Sequence, residues 1–145
     1  MSDFKEKFYV DINNFKNILK TLENCIIKDK KVQDYITCLG IMKHFCLVFD
    51  LSLKIVQNLD IVFNNNANDV YQSFNRNQYY KDIYVPCLNL KNKFEYEYNK
   101  FINGDINYKN FVLKLNNICY EILYEKEYIK NFNYFKENIY KILKL

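Results

Sequence analysis

Apolar residues recur at steps of three and four along almost the whole chain, and few residues interrupt this spacing. With two glycines and one proline in 145 residues, the chain lacks the turns that a β-sandwich or a barrel of hairpins requires. No stretch alternates between apolar and polar residues for long, so no strands are predicted. The sequence therefore predicts an all-α fold, an up-and-down helical bundle of four to five helices that forms a single domain over residues 1–145.

The apolar spacing also gives approximate helix limits. A lysine-rich turn at Lys28–Lys31 and an asparagine loop at Asn64–Asn66 separate the first segments. Pro86 is predicted to begin a helix, because its missing N–H is not needed in a first turn. That helix is predicted to end at Asn103-Gly104-Asp105, a C-cap followed by a new N-cap. Five helical segments are predicted, over about Asp3–Ile27, Val32–Phe63, Asn68 or Asp69 to Tyr80, Pro86–Ile102 and Tyr108–Leu143, the last broken near Glu125–Tyr128.

The charge of the chain is mildly basic and evenly spread. It carries 21 lysines and arginines against 17 acidic residues, a net charge of +4. Arg76 is the only arginine, so the paired contacts that a guanidinium makes to a phosphate or a guanine are scarce. Proteins that bind long nucleic acids usually carry more positive charge, and carry it in clusters.

The cysteines and the N-terminal segment bear on the compartment. The five cysteines include no C-x-x-C pair, and there is one histidine, so no zinc site is predicted. Free buried thiols in a reducing cytoplasm are expected, with no metal and no cofactor. No apolar run approaches the roughly 18–20 residues of a membrane span, and the first residues do not resemble a signal peptide, so no membrane contact is expected.

The second helix is apolar almost all round and is expected to be buried on several sides. It keeps one narrow polar stripe, which is expected to line a cleft or face a partner. His44 is the only histidine and hence a candidate base; the alternative is a histidine that hydrogen-bonds within its own helix. The stripe consists of Gly40, Lys43, His44, Asp50, Lys54 and Gln57.

Two segments carry a resemblance to a known family. Phe45–Lys54, FCLVFDLSLK, resembles the F-x-x-x-F-E-L-x-W-K segment of the nucleotidyltransferase substrate-binding proteins, members of the HEPN superfamily that includes the HepT-type toxins. That family then has a tryptophan, a methionine three residues on, and Arg-Asn-x-x-x-His-x-Tyr after four more. Tyr84, Cys87 and Lys91–Tyr98 keep this spacing without a gap, and the resemblance extends from about Asn13 to Phe132.

The resemblance implies a site for RNA cleavage whose two main residues are changed. In active HEPN proteins an arginine holds the phosphate, and a histidine removes the proton of the attacking 2′-hydroxyl without a metal. Here Lys91 replaces the arginine and Tyr96 the histidine. A tyrosine phenol titrates near pH ~10, so making it a base at neutrality requires ~4 kcal/mol from its surroundings. Little or no ribonuclease activity is therefore predicted; the alternative is an active ribonuclease that uses Lys91 and His44 in changed roles.

The resemblance further implies partners and a mode of binding. Lys91 and Asn92 are expected to contact phosphate, and Tyr96 and Tyr98 to stack on a base, in a cleft that Asp50 and His44 help to line. A cytoplasmic homodimer is expected, paired with a small nucleotidyltransferase in a toxin–antitoxin-type system. The resemblance makes Tyr98 a candidate for attachment of AMP by that partner; the alternative is that the tyrosines only pack at a dimer interface.

One segment suggests a different class of protein. Asn103–Tyr108, NGDINY, weakly resembles the Asp-Gly-x-Asn-Trp-Gly segment that starts a helix in the Bcl-2 family, which would make the chain a virus-encoded interaction protein. Lys109 stands where that family has a glycine. About 37 residues follow Tyr108, which is short for the helices expected there.

Overall fold

The chain is an all-α bundle. The computed structural model describes residues 2–25, 34–63, 76–125 and 127–143; 94% of these residues are helical, and none of them forms a strand. This confirms the predicted fold class. Five long helices contain most of the described residues: α1 (Ser2–Asn24), α2 (Tyr35–Phe63), α3 (Val85–Ile102), α4 (Tyr108–Tyr120) and α5 (Tyr128–Leu143).

The N-terminus of α2 is fixed by a side-chain cap. Asp34 accepts a hydrogen bond from the backbone N–H of Thr37 at 2.7 Å, which satisfies one of the free donors of the first turn. The same bond lowers the pKa of the Asp34 carboxyl. The predicted start at Val32, the turn at Lys28–Lys31, the loop at Asn64–Asn66 and most of the short helix before Arg76 lie outside the described residues.

Pro86 stands in the first turn of α3, as predicted, but the helical backbone does not start anew there. One α-helical turn at Arg76–Tyr79 continues through a π-helical turn at Tyr80–Tyr84 directly into α3. Proline cannot donate to the carbonyl four residues before it, which is that of Asp82. The side chain of Asn131 on α5 donates to that carbonyl at 3.3 Å instead, so a residue distant in sequence stabilises the helix across its proline.

The connection from α3 to α4 follows the predicted glycine turn. Gly104 has φ +79°, a conformation that is strained for any residue with a Cβ. Its N–H donates to the carbonyl of Phe101 and that of Asp105 donates to Lys100, which is the double bond of a Schellman motif. The next helix is capped by Asn107, which accepts from the N–H of Asn110 at 2.8 Å. The cap is therefore two residues later than Asp105.

The break predicted near Glu125–Tyr128 is present. Helix α4 runs into a second π-helical turn at Glu121–Glu125, and α5 begins at Tyr128. The described chain thus contains two π-helical turns, one before α3 and one after α4. Both turns pack against α5.

Aromatic side chains from α1, α2 and α5 form the centre of the core. Phe15 of α1 meets the rings of Phe132 and Phe135 edge-on, with centroids 6.1 and 5.5 Å apart. Phe45 of α2 meets Phe132 and Tyr128 at 5.9 and 5.3 Å. Edge-to-face contacts of this kind add to the burial of the rings and fix how the helices pack.

Helices α2 and α3 run antiparallel. Ring contacts join their ends, with Tyr35 6.4 Å from Phe101 and Phe49 6.1 Å from Tyr84. In the C-terminal half of α2, Ser52 is buried, and its hydroxyl donates to the carbonyl of Phe49 at 2.6 Å. The hydroxyl of Tyr79 therefore donates to Ser52 Oγ, at 2.9 Å. Burial raises the pKa of Tyr79 to about 12.

The cysteines are free thiols, and three of them are buried. Cys38, Cys87 and Cys119 are enclosed, whereas Cys25 and Cys46 are partly exposed. The thiol of Cys119 on α4 lies 3.4 Å from the carbonyl oxygen of Cys38 on α2, so it joins the two helices by a weak hydrogen bond. The expectation of buried free thiols is thus met by three of the five.

Helix α2 is apolar over a longer stretch than was predicted from the sequence. Its stretch Tyr35–Leu59 is long and apolar enough to cross a membrane, by length and composition alone, with a mean hydropathy of 1.6. A core helix of a soluble protein passes the same test. In this fold Phe45, Val48 and Phe49 of the stretch are fully enclosed by the neighbouring helices, as a core helix requires.

Candidate functional site

The antiparallel packing of α2 and α3 brings two of the predicted site residues together. Lys91 Nζ lies 3.9 Å from Asp50 Oδ1, and the two side chains are 31% and 50% exposed. An exposed pair at this distance contributes about 0–1 kcal/mol to folding. Lys91 is therefore held at an open edge of the bundle, and its ammonium group remains accessible to an anion from solution.

Carboxylates and a thiol surround Lys91. Burial raises the pKa of Cys46, on α2, and the nearby charges of Asp50 and Glu95 raise it further while Lys91 lowers it. The charges of the other three side chains thus all act on the Cys46 thiol. We call this group, Cys46 and Asp50 on α2 with Lys91 and Glu95 on α3, the Lys91 edge.

Tyr96 and Asn92 lie on another side of α3. Tyr96 is 60% exposed, and Lys100 Nζ sits 5.0 Å from the centre of its ring as a cation–π contact. Asn92, one turn earlier, is also exposed. Positions 91 and 96 are about 140° apart around a helix, so within one chain Lys91 and Tyr96 do not converge on one point.

Tyr98 is packed more deeply than Tyr96. Its ring is half-buried between Phe94, whose centroid is 5.8 Å away, and Phe111 of α4, at 6.2 Å. Residues two apart on a helix point to different sides, which explains why the two tyrosines have such different surroundings. Of the two phenols, Tyr96 is the more accessible from solution.

His44 faces away from the Lys91 edge. Its ring nitrogen Nδ1 lies 2.7 Å from the carbonyl oxygen of Gly40, one turn earlier on α2. Position 44 is about 160° around the helix from Cys46, which belongs to the Lys91 edge. The geometry is that of a histidine hydrogen-bonded within its own helix, and it does not place an imidazole beside Lys91.

Two buried carboxylates, Asp11 of α1 and Glu97 of α3, were not anticipated from the sequence. Glu97 of α3 is 9% exposed, and Lys114 Nζ of α4 lies 3.2 Å from its Oε2. Glu97 stands in a run of charged residues, which suggests a solvated surface. Its spacing from Leu90 and Phe101, however, is that of one helical face, and this spacing indicates burial.

The described residues contain no group of three or more histidine, cysteine, aspartate or glutamate side chains that could hold a metal ion. Compared with known protein families, curated proteins and solved structures, the chain matches none of them. A function is therefore argued from the chemistry of the site and from the motif spacing of the sequence.

Proposed function

We propose that the chain is a HEPN-like nucleotidyltransferase substrate-binding protein that binds the phosphate of a nucleotide or an RNA at the Lys91 edge and cleaves RNA little or not at all. The observation that carries the proposal is the position of Lys91, an accessible ammonium group beside Asp50 at the open edge between α2 and α3. An ammonium group there attracts an anion as a point charge, without the paired geometry of a guanidinium.

The exposed surface next to the edge suits a base. Tyr96 is largely exposed, with Lys100 over one face of its ring, and an aromatic ring stacks on any nucleobase. Asn92, one turn before it, offers an amide that both donates and accepts hydrogen bonds. Lys91 lies on one side of α3, and these two residues lie on another. One ligand can contact all three if a second copy of the chain completes the cleft, so the proposal includes a homodimer.

Among the residues that the structure describes, no imidazole lies near Lys91, and this favours binding over cleavage. The attack of a 2′-hydroxyl needs a group that accepts its proton. The single histidine of the chain, His44, is turned to the far side of α2 and bonded to Gly40. The remaining polar groups of the Lys91 edge are Asp50 and Glu95, whose negative charges also repel a phosphate and weaken its binding.

The proposed partner is a small nucleotidyltransferase, in a toxin–antitoxin-type pair in the cytoplasm. Such an enzyme needs an accessible hydroxyl to modify, and Tyr96 is better exposed than Tyr98. We therefore extend the candidate position for attached AMP from Tyr98 to Tyr96. Incubation with a nucleotidyltransferase from the same operon and ATP, followed by mass spectrometry of peptides, distinguishes the two tyrosines.

Binding itself is tested by titrating the protein with a fluorescent ATP analogue. Lys91→Ala is expected to weaken binding by about tenfold, since one charged contact contributes roughly 1.5–3 kcal/mol. Lys130→Ala is the matched control, because Lys130 also pairs with a carboxylate, Glu127, at 3.5 Å on the surface. Equal affinity of the two variants, or no binding by the unmodified protein to ATP or to a short RNA, contradicts the proposal.

A further inference from the structure

A cleft lies on the side of α3 that faces away from the Lys91 edge. It has a volume of about 530 Å³ and runs between α3 and the start of α5. Pro86, Leu90 and Lys93 line it from α3, and Tyr128 and Asn131 line it from α5. Position 93 is about 160° around the helix from position 91, so the cleft and the Lys91 edge are separate surfaces.

Both π-helical turns border this cleft. Lys81 and Asp82 belong to the first turn, and Glu121 belongs to the second. The first turn is explained by Pro86, whose missing donor is replaced by Asn131. The second turn contains no proline. Single π-helical turns are frequent at functional sites, and here two turns from different parts of the chain meet at one cleft.

The two walls of the cleft carry opposite charges. On the α3 side stand Lys81 and Lys93, and on the facing side stand Glu121 and Glu127. Lys93 Nζ lies 3.8 Å from Glu121 Oε2, and the two side chains are 59% and 20% exposed. One long, partly exposed ion pair therefore connects the two walls. Asp82 is the one acidic group on the cationic side. A ligand with a positive and a negative group finds a partner for each across such a cleft.

The cleft has an apolar part. Leu90 and Tyr128, which line it together with Pro86, are 3% and 7% exposed. Asn131 is fixed by its bond to the carbonyl of Asp82. Burial raises the pKa of Tyr128 to about 12, so its hydroxyl keeps its proton at neutral pH and is available as a hydrogen-bond donor.

We propose that this cleft binds a small zwitterion with an apolar side chain, the size of an amino acid or a dipeptide. Its carboxylate would meet Lys93 and Lys81, its ammonium group would meet Glu121 and Glu127, and its side chain would lie on Leu90 and Pro86. The volume fits this class, because ligand pockets span roughly 300–1,000 Å³. The site is independent of the nucleotide proposal, since it shares no residue with the Lys91 edge.

Isothermal titration calorimetry with leucine and with leucyl-leucine tests the proposal. Saturable binding of one or both is expected, and the tighter of the two identifies the ligand size. N-acetylleucine lacks the positive charge and leucinamide lacks the negative one, so each is expected to bind at least about tenfold more weakly than leucine. Equal binding of these derivatives, or no saturable binding of either zwitterion, overturns the proposal.

Variants of the two walls locate the binding. Lys93→Ala and Glu121→Gln are each expected to weaken binding of the better zwitterion by at least about tenfold, because each removes one charged contact. Lys54→Ala, an exposed lysine on α2 outside the cleft, is the control and is expected to bind within about twofold of the unmodified protein. Thermal melts show that each variant is folded. Unchanged affinity in the two folded wall variants contradicts the assignment.

Discussion

The two long sides of α2 differ in chemistry. Towards α1 and α5 the helix presents a dry aromatic side, where Phe45 meets Phe132 and Tyr128 edge-on. Towards α3 it also makes ring contacts, such as Phe49 with Tyr84, but this side carries polar groups as well: the buried hydroxyl of Ser52 and the exposed pair of Asp50 with Lys91. The dry side supplies the stability of the bundle. The polar side contributes little to stability at its exposed edge, so its charges are free to recognise a ligand.

This difference explains why the site residues are not the residues that hold the fold. Charges at an exposed edge are strongly hydrated and contribute about 0–1 kcal/mol per pair, whereas each buried ring contributes several times as much. A substitution on the dry side should therefore lower stability, and one at the Lys91 edge should lower only binding. The predictions below test this separation, in order of expected effect.

The largest effect is expected on the dry side. Phe132→Ala removes a fully buried ring that contacts both Phe15 and Phe45, and it leaves a cavity between three helices. The free energy of unfolding should fall by about 3–5 kcal/mol, measured by urea denaturation. Tyr134→Ala on the same helix removes a half-exposed ring and should cost much less. Similar losses for the two variants would show that the centre of the core is misplaced.

The second effect concerns alkaline pH. The pKa of Tyr79 is raised to about 12 in the folded protein, above its unfolded value near ~10. The stabilisation is fully present below pH ~10 and is lost as the pH rises towards 12, because the unfolded chain ionises first. The loss is on the order of 2 kcal/mol for this residue. Denaturation curves across this window should show a smaller loss for Tyr79→Phe than for the unmodified protein.

A smaller effect is expected at the buried hydroxyl pair. Ser52→Ala removes the acceptor of the Tyr79 hydroxyl and leaves that donor buried without its partner. The expected cost is on the order of 1 kcal/mol, measured by thermal or urea denaturation. Combining it with Tyr79→Phe removes both hydroxyls, and the double variant should lose less than the sum of the two single losses. Strict additivity would mean that the two hydroxyls do not interact.

The smallest effect on stability is expected at the Lys91 edge. Lys91→Ala should change the free energy of unfolding by less than about 0.5 kcal/mol, because the pair with Asp50 is long and exposed. Urea denaturation at low and high salt measures it. A loss above about 2 kcal/mol would place Lys91 among the structural residues and would remove the contrast between the two sides of α2.

Most of the fold could be predicted from the sequence because one periodicity runs through it. The all-α bundle, the glycine turn at Gly104 and the break before Tyr128 all follow from local spacing and local turn chemistry. Pro86 was correctly placed in the first turn of α3, but the unbroken helical backbone before it was not predicted, because the compensation for its missing donor comes from Asn131. No local pattern indicates a contact between residues that distant in sequence.

The candidate site was predictable only in part. That Lys91 stands beside Asp50 follows once the helices are paired antiparallel, and that Tyr96 and Tyr98 lie on different sides follows from their spacing. The orientation of His44 depends on which neighbouring helix covers each side of α2. The sequence of an apolar helix that is buried on several sides does not indicate which side faces which helix. The cleft beside the π-helical turns depends on tertiary contacts of α5, and no local sequence pattern indicates it.

The central claim, that the Lys91 edge holds a phosphate and does not break a phosphodiester, is tested most directly with one end-labelled single-stranded RNA. Native and denaturing gels of the same incubation report binding and cleavage together. The account predicts that the RNA is retarded by the protein, remains intact, and is released by Lys91→Ala. Clean cleavage of the RNA that disappears in Tyr96→Phe would contradict it.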